Sequence, residues 1–302
     1  MTDHDEQEHA VTDRLRVAAV QFDLRPVTRW ADFADRVSHH LDEAEDADVV
    51  VFGECMTAGL AATAPGWQDR HPREAFAAAA DLTAAYEAMF AEAAVARRQT
   101  ILAGSQFVAG PSGLRNVAHV FTPRGEVLRH HKSHLFPAEW EYLADEGDEV
   151  TCVEVAGVSC GVLVCYEAEV PELATIYSRL GVDVLLCPSY TFTDAGFHRV
   201  RKTLAARCIE NQVYAVHCPV VGSGAGPIAP ARGRASVLGP CEPGLPGDGV
   251  IALGPADTEA VLTAELDLAL LRELRRSGVA PTVRDRARKR GMYERYAAQL
   301  WP

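Results

Sequence analysis

The chain has 302 residues, of which 48% are hydrophobic and 24% are charged, the proportions of an ordinary globular protein. Its formal net charge of −13 argues against nucleic acid as a partner, because the phosphate backbone requires clusters of lysine and arginine. No apolar run approaches the roughly 20 residues needed to span a bilayer, and the polar first residues lack a secretory core. The eight cysteines are scattered and form no C-x-x-C pair, so we expect reduced thiols and a cytoplasmic location, without membrane attachment.

The first third of the sequence alternates strand and helix patterns. Residues 1–14 are acidic, polar and without periodicity, and we expect a disordered leader. A strand is predicted at 15–22, and residues 30–47 carry apolar side chains at helical spacing. Three of the five residues at 48–52 are valine, which predicts a strand in the interior of a sheet, buried on both faces. An alanine-rich stretch predicts one helix at about 72–98.

The rest of the sequence is richer in strands. Strands are predicted at 100–108, 116–122, 126–130, 151–156, 158–164, 182–187 and 213–218, and edge strands at 234–238, 249–253 and 261–266. Helices are predicted at about 196–211 and at 267–277, the second capped by Asp267. With no repeat and no domain-sized linker, we expect one α/β domain at 15–277. Residues 278–302 are basic and then aromatic, and we predict a C-terminal arm at a subunit interface.

The short apolar run at 158–164 stops abruptly at Cys165. A helix signal follows at once, because Pro171 suits a first helical turn and the three nearby glutamates suit its positive end. A thiol between a buried strand and a helix amino terminus is predicted to have a lowered pKa and to react as the thiolate. The alternative is a core cysteine, since free cysteine is among the most buried residue types.

Glu54, Lys132 and Cys165 share one placement, because each follows a strand or hairpin and begins a loop. In α/β folds, ligand sites form at the carboxyl ends of central strands. Each residue alone has an ordinary explanation, since loop glutamates and lysines are usually solvated and strand-end cysteines are usually core. Together they form a base, a cationic partner for an oxyanion and a nucleophile.

The segments around these residues resemble the nitrilase, or carbon–nitrogen hydrolase, superfamily. The resemblance runs from about residue 15 to residue 275 and is carried by five motifs: VAAVQF at the start, VVVFGE around Glu54, NVAHVFTPRGEVLRHHKSHLFPAE around Lys132, GVLVCYEAEVPE around Cys165, and ARCIENQVYAVHCPVVG at residues 206–222. It implies a four-layer α-β-β-α sandwich in a single domain and a Glu-Lys-Cys triad.

The resemblance also implies a mechanism. Cys165 attacks a carbonyl carbon, Lys132 and the N–H of Tyr166 face the oxyanion, and Glu54 moves the protons through a thioester intermediate. A second glutamate of the site maps best to Glu139, with Glu141 as the close rival. No metal and no organic cofactor is called for.

The predicted substrate is a small-molecule amide that releases ammonia or an amine. Tyr166 follows the nucleophile, as in many amide-cleaving members, whereas nitrile-cleaving members tend to have tryptophan there. The alternatives that stay open are a nitrilase, an N-carbamoyl amide hydrolase and, in a different class, a catalytically silent binding protein. The family commonly pairs subunits through helices beside the site, so we expect a homodimer or a larger even-numbered homo-oligomer.

Further residues are candidates for the wall of the site. Tyr190 and Trp140, with Tyr166, are predicted to bind substrate, and Cys55 is predicted to be a wall residue rather than a second nucleophile. The histidines at 130, 131 and 134 suggest a metal, but adjacent histidines on a strand point to opposite faces, which argues against a shared ligand role.

Overall fold

The computed structural model describes residues 12–300. Its strands are β1 (Arg14–Gln21), β2 (Val49–Phe52), β3 (Thr100–Gly110), β4 (Gly113–Phe121), β5 (Val127–His131), β6 (Cys152–Val155), β7 (Val158–Val162), β8 (Val184–Ser189), β9 (Tyr214–Pro219), β10 (Ser236–Leu238), β11 (Val250–Leu253) and β12 (Ala260–Asp267). Its helices are α1 (Trp30–Glu43), α2 (Pro72–Ala80), α3 (Thr83–Arg97), α4 (Pro171–Arg179), α5 (Asp194–Asn211), α6 (Leu268–Ser277), α7 (Thr282–Arg288), α8 (Arg290–Arg295) and α9 (Ala297–Leu300).

The strands form two six-stranded sheets, in the orders β12-β1-β2-β3-β4-β5 and β11-β10-β9-β8-β7-β6. In the first sheet β1, β2 and β3 run parallel, and in the second β7, β8 and β9 do, with antiparallel strands on either side. The sheets lie face to face, since the Cys218 thiol of β9 reaches the carbonyl oxygens of Val20 and Val51 at 3.2 and 3.0 Å.

Strand β2 shows why its sequence is apolar at every position. Val49 and Val51 belong to the core between the two sheets, whereas Val50 and Phe52 belong to the core beneath the helices. The alternation follows from the two-residue period of a strand, and all four side chains are buried. The prediction of an interior strand buried on both faces is confirmed.

Helices cover the outer faces of both sheets. Phe33 of α1 and Phe90 of α3 pack on the first sheet, and Tyr177 of α4 and Leu204 of α5 pack on the second. The layers therefore follow the predicted order α-β-β-α. Between residues 12 and 300, no helix is both long and apolar enough to cross a membrane.

The alanine-rich stretch predicted as one helix forms two helices, α2 and α3. Phe76 of α2 stacks on Phe107 of β3 with ring centroids 4.2 Å apart, whereas the Tyr86 hydroxyl of α3 donates to the carbonyl oxygen of Ala103 at 2.6 Å. The two apolar faces meet different parts of the sheet, so the chain turns after Ala80. Alanine favours a helix throughout this stretch, and the sequence pattern contains no breaker.

Two further features differ from the predictions: the position of one strand in its sheet and the start of the first strand. Strand β10 is not an edge strand, because it pairs with both β9 and β11. The first strand begins at Arg14, and the carbonyl oxygen of Asp13 accepts from the N–H of Leu268 at 2.9 Å. Residues 1–11 of the predicted leader lie outside the described residues.

The C-terminal arm folds into the helices α7, α8 and α9 and packs on α5. The Arg286 guanidinium donates to the Asn211 side-chain oxygen at 2.8 Å, and the Thr282 hydroxyl donates to the carbonyl oxygen of Ile209 at 3.0 Å. Its contact with a partner subunit stays a prediction.

Candidate active site

Both sheets deliver residues to one cavity. Glu54 follows β2 and Lys132 follows β5 in the first sheet, while Cys165 follows β7 in the second sheet and opens a 3-10 turn, Cys165–Glu169. All three are almost completely buried and line the same cavity of about 150 Å³. The structure thus brings together the three residues that the sequence placed at strand ends, as expected for the carboxyl edge of parallel strands.

The Lys132 ammonium lies between two carboxylates. Its Nζ atom is 2.7 Å from Glu54 Oε1 and 2.5 Å from Glu139 Oε2. Burial lowers the pKa of Lys132, but Glu139 and Glu54 outweigh burial and hold that pKa well above its ordinary value. The ammonium therefore keeps its proton.

Asn116 of β4 joins the two carboxylates from the other side. Its Nδ2 donates to Glu54 Oε1 at 2.9 Å and to Glu139 Oε1 at 3.0 Å. Sequence analysis did not identify Asn116 as a site residue. The available signal was an amide at the start of the apolar strand NVAHVF.

Glu54 is a buried carboxylate whose pKa is raised. Its second oxygen accepts from the N–H of Tyr190 at 2.8 Å. Burial raises the pKa of Glu54, Lys132 opposes this, Glu139 adds to it, and the net pKa lies above the ordinary value. A carboxylate with a raised pKa has a higher proton affinity, and a general base needs this in order to accept a proton from a weak acid.

The Cys165 thiol does not have the lowered pKa that the sequence predicted. Burial raises its pKa, Glu54 raises it further, and Lys132 only partly opposes them, so the pKa lies well above the ordinary value. The Lys132 charge is shared by two carboxylates, which leaves the three groups with a net negative charge. The regular helix α4 begins only at Pro171, beyond the 3-10 turn, so its dipole is not aimed at the sulfur.

The backbone of Cys165 has φ of +51°, in the left-handed region that few non-glycine residues adopt. The Ser189 hydroxyl donates to Cys165 Sγ at 3.6 Å, and Sγ lies 3.7 Å from the carbonyl oxygen of Tyr190. Such strain persists only where the surroundings hold the residue in place.

Glu167 holds the turn, and sequence analysis assigned it only to the start of a helix. Its carboxylate is fully buried and accepts from His130 Nε2 at 2.9 Å, from the N–H and hydroxyl of Ser133, both at 2.6 Å, and from the N–H of Val164 at 2.6 Å. Burial raises the pKa of Glu167, but His130 and the other donors outweigh it and the net pKa is lowered. Glu167 thus ties the segment after Lys132 to the turn of Cys165.

The structure separates the two candidates for the second glutamate. The Glu139 residue is 3% exposed and contacts Lys132, whereas the Glu141 side chain is 63% exposed and lies 3.4 Å from His71 Nε2. Trp140 does not line the cavity and is 48% exposed, so the structure does not bring this predicted substrate-binding residue to the other residues of the site. The exposure of Trp140 and Glu141 follows from the 3-10 turn Pro137–Glu141. In such a turn, successive side chains point in different directions, and the buried side chain is that of Glu139.

Tyr166 and Tyr190 line the cavity, as does Cys55. The Tyr190 hydroxyl donates to the carbonyl oxygen of Ala229 at 2.6 Å, which fixes the ring. Burial and then Glu54 raise the pKa of Cys55 well above its ordinary value, which agrees with a wall residue. Sequence analysis missed other lining residues, namely Phe136, Tyr142, Glu169, Phe192 and Arg199.

The α-β-β-α sandwich of this chain matches the fold of solved structures from the nitrilase superfamily. The sequence model of the carbon-nitrogen hydrolase family matches residues 16–276, and the chain belongs to that family. Among solved structures, Saccharomyces cerevisiae Nit3, a member of branch 10 of the nitrilase superfamily, has a TM-score of 0.69 at 21% identity, over 88% of this chain and 94% of that one.

Two curated relatives cover most of the chain. The Bacillus subtilis protein described as "Probable hydrolase YhcX" is 28% identical over 91% of this chain, which spans only 54% of that protein's length. Omega-amidase NIT2-A of Xenopus laevis is 27% identical over 87% of this chain and 92% of its own length. The similarity thus extends to proteins named for amide hydrolysis.

Proposed function

We propose that this protein hydrolyses the amide C–N bond of a small molecule through a thioester on Cys165. The observation that carries the proposal is one cavity in which a buried thiol, a buried carboxylate with a raised pKa and a permanent ammonium meet. The amidase relative supports the reaction type.

In the first half of the reaction, Glu54 takes the thiol proton as Cys165 Sγ attacks the carbonyl carbon. Because the resting thiol is neutral, proton transfer and attack belong to one step rather than to a preformed thiolate. Lys132 and the N–H of Tyr166 face the oxyanion, where a single donor contributes on the order of 3–4 kcal/mol in other hydrolases. Glu54 then gives the proton to the departing nitrogen, the C–N bond breaks, and ammonia or an amine leaves.

In the second half, Glu54 takes a proton from water, which attacks the thioester carbon. The C–S bond breaks, the acid leaves and the sulfur regains its proton. Glu139 is a second carboxylate partner of Lys132, so that the ammonium stays fixed while the charge on Glu54 changes in each half-reaction.

The test replaces Cys165 with alanine and measures ammonia release from a panel of short-chain, ω-amino, aromatic and carbamoyl amides. We expect kcat/KM to fall by at least about 10⁴-fold, the scale seen when a nucleophile is removed. Cys152→Ala is the matched control, because Cys152 is exposed and lies outside the cavity.

The intact-mass spectrum of the wild-type protein quenched during turnover should show the added acyl group, and Cys165→Ala should not. Retained turnover in Cys165→Ala would remove this sulfur from the mechanism. Faster acid release from a nitrile than from the matching amide would reassign the protein as a nitrilase. A panel without any ammonia release would favour a silent binding protein.

A further inference from the structure

Beyond the reacting groups, the cavity is lined by an ion pair between Glu169 and Arg199. Glu169 ends the 3-10 turn that begins at Cys165, and Arg199 lies in α5. Arg199 Nε donates to both oxygens of the Glu169 carboxylate, at 2.8 and 2.7 Å. The Glu169 side chain is 14% exposed and that of Arg199 is 47% exposed, so the carboxylate is on the inner side of the pair.

The charges around the cavity favour one kind of acyl group. Within residues 12–300, the charged lining residues are Glu54, Glu139, Glu169, Lys132 and Arg199. Both cations are already paired with carboxylates, and three carboxylates against two cations leave one net negative charge. The side chains of the three carboxylates are largely buried, and buried charges are screened less than exposed ones, so this excess acts on a charged substrate.

The walls between the charges are aromatic. The Phe136 and Tyr166 rings meet edge to face with centroids 5.7 Å apart, and Tyr190 and Phe192 do so at 4.8 Å. The Arg199 guanidinium lies 5.8 Å from the centre of the Phe136 ring. The faces of aromatic rings attract cations rather than anions. The walls therefore accept apolar or cationic groups.

We infer that the enzyme selects amides whose acyl chain is neutral or carries an ammonium, that it excludes chains ending in a carboxylate, and that Glu169 sets this preference by occupying Arg199. The inference rests on the amide hydrolysis proposed above and names the substrate class of the same site. Without Glu169, Arg199 would be an unpaired cation at the cavity and would attract a carboxylate.

The test uses three amides of equal chain length that end in a methyl, an ammonium or a carboxylate: pentanamide, 4-aminobutanamide and glutaramate. We expect kcat/KM for glutaramate to be at least about tenfold below that of either other amide, because like charges placed together are strongly disfavoured. Equal or faster hydrolysis of glutaramate would overturn the inference and leave the proposed function standing.

Two variants of the ion pair should change the preference between glutaramate and pentanamide in opposite directions. Glu169→Gln should raise the glutaramate-to-pentanamide ratio of kcat/KM by about tenfold, mainly through KM, and Arg199→Gln should lower it. Glu154→Gln, which removes an exposed carboxylate outside the cavity, should leave the ratio within about twofold. A purely structural role for the pair would instead scale all three amides alike in both variants, and that result would overturn the inference.

Binding to the Cys165→Ala protein, measured by calorimetry, separates the inference from the reaction. If no amide is hydrolysed by the wild-type protein but pentanamide and 4-aminobutanamide bind more tightly than glutaramate, the proposed function fails and the inference stands. If glutaramate binds as tightly as the others, or if none of the three binds, the inference fails.

Discussion

Lys132 is shared between Glu54 and Glu139, and this sharing limits how far its charge opposes the effects of burial and of Glu54 on the thiol. An ammonium that faced Cys165 with a single carboxylate partner would stabilise a thiolate. Burial and then Glu54 raise the pKa of Cys165, and a Lys132 charge that two carboxylates share opposes them only in part. At the scale of single residues, Glu139 therefore takes up part of the charge that would otherwise stabilise a thiolate.

Replacing Glu139 with glutamine should move the titration of Cys165 to lower pH, because one negative charge beside Lys132 is lost. We also expect kcat/KM to fall by about 10²-fold, since Lys132 loses one of the two partners that position it. The pH dependence of Cys165 alkylation reports the thiol, and the pH–rate profile reports catalysis.

Glu141→Gln is the matched control for Glu139→Gln, because it removes the same charge two residues away on an exposed side chain. It should leave both the alkylation profile and kcat/KM within about twofold. Equal losses in the two variants would contradict the role given to Glu139.

At the scale of elements, the turn that carries Cys165 is held from two directions. Glu167 binds it to the segment after β5, and the Arg207 side chain of α5 donates to the carbonyl oxygens of Ala168 and Glu169 at 3.2 and 3.3 Å. Cys165 is therefore positioned by the first sheet and by a helix of the outer layer, and these contacts hold its backbone in the left-handed region.

The contact between helix α1 and the segment before β12 is expected to depend on pH. Glu259, just before β12, accepts from Arg36 at 2.6 Å and contacts His40 Nε2 at 3.1 Å, which fastens α1 to the edge of the first sheet. Burial raises the pKa of Glu259, but His40 and Arg36 outweigh burial and lower the pKa to about 2.

A carboxyl pKa that is lower in the folded than in the unfolded protein stabilises the fold above the unfolded value, and this contribution is lost as the pH falls toward the folded value. For Glu259 that window runs from the ordinary 4.5 down to about 2. Glu259→Gln should lower the free energy of unfolding at pH 7 by about 1–2 kcal/mol, discounted because the side chain is partly exposed, and by less at pH 3.

Denaturant unfolding at both pH values measures this difference. The comparison variant is Glu265→Gln, because Glu265 of β12 forms an exposed pair with Arg14 of β1, and its replacement should change the stability little at either pH. A Glu259→Gln difference that grows on acidification would contradict the assignment.

At the scale of the whole molecule, several apolar side chains are exposed along α4, α5 and the arm: Ile176, Leu180, Ile209, Tyr293 and Tyr296. We propose that this surface pairs two subunits, as the family resemblance implies. Light scattering at micromolar protein should give at least twice the 32.7 kDa of one chain, and Ile209→Asp should reduce the mass to one chain.

Leu253→Asp is the control for Ile209→Asp, because Leu253 is also exposed but lies on β11 at the edge of the second sheet. It should leave the mass unchanged. A wild-type mass of one chain would contradict the proposed pairing, and an unchanged mass in Ile209→Asp would place the interface elsewhere.

Much of this arrangement could be predicted from local patterns. Valine runs, turn residues and strand ends identified the α/β layers, and the strand ends placed Glu54, Lys132 and Cys165 at one rim. The break between α2 and α3 and the interior place of β10 could not be predicted, because alanine is helical in either case and strand order depends on partners distant in sequence.

The sequence by itself determined which segments are buried and which reactive groups follow them, because burial period and strand ends are local properties of the chain. Only the tertiary structure decided how those groups are charged and aimed. Glu139 rather than Glu141 meets Lys132, Trp140 points away from the cavity, and Glu169 occupies Arg199, since each depends on side-chain direction and on neighbours from other elements. The neutral state of the Cys165 thiol has the same origin, because a pKa sums the charges and the burial that the whole fold brings to one atom.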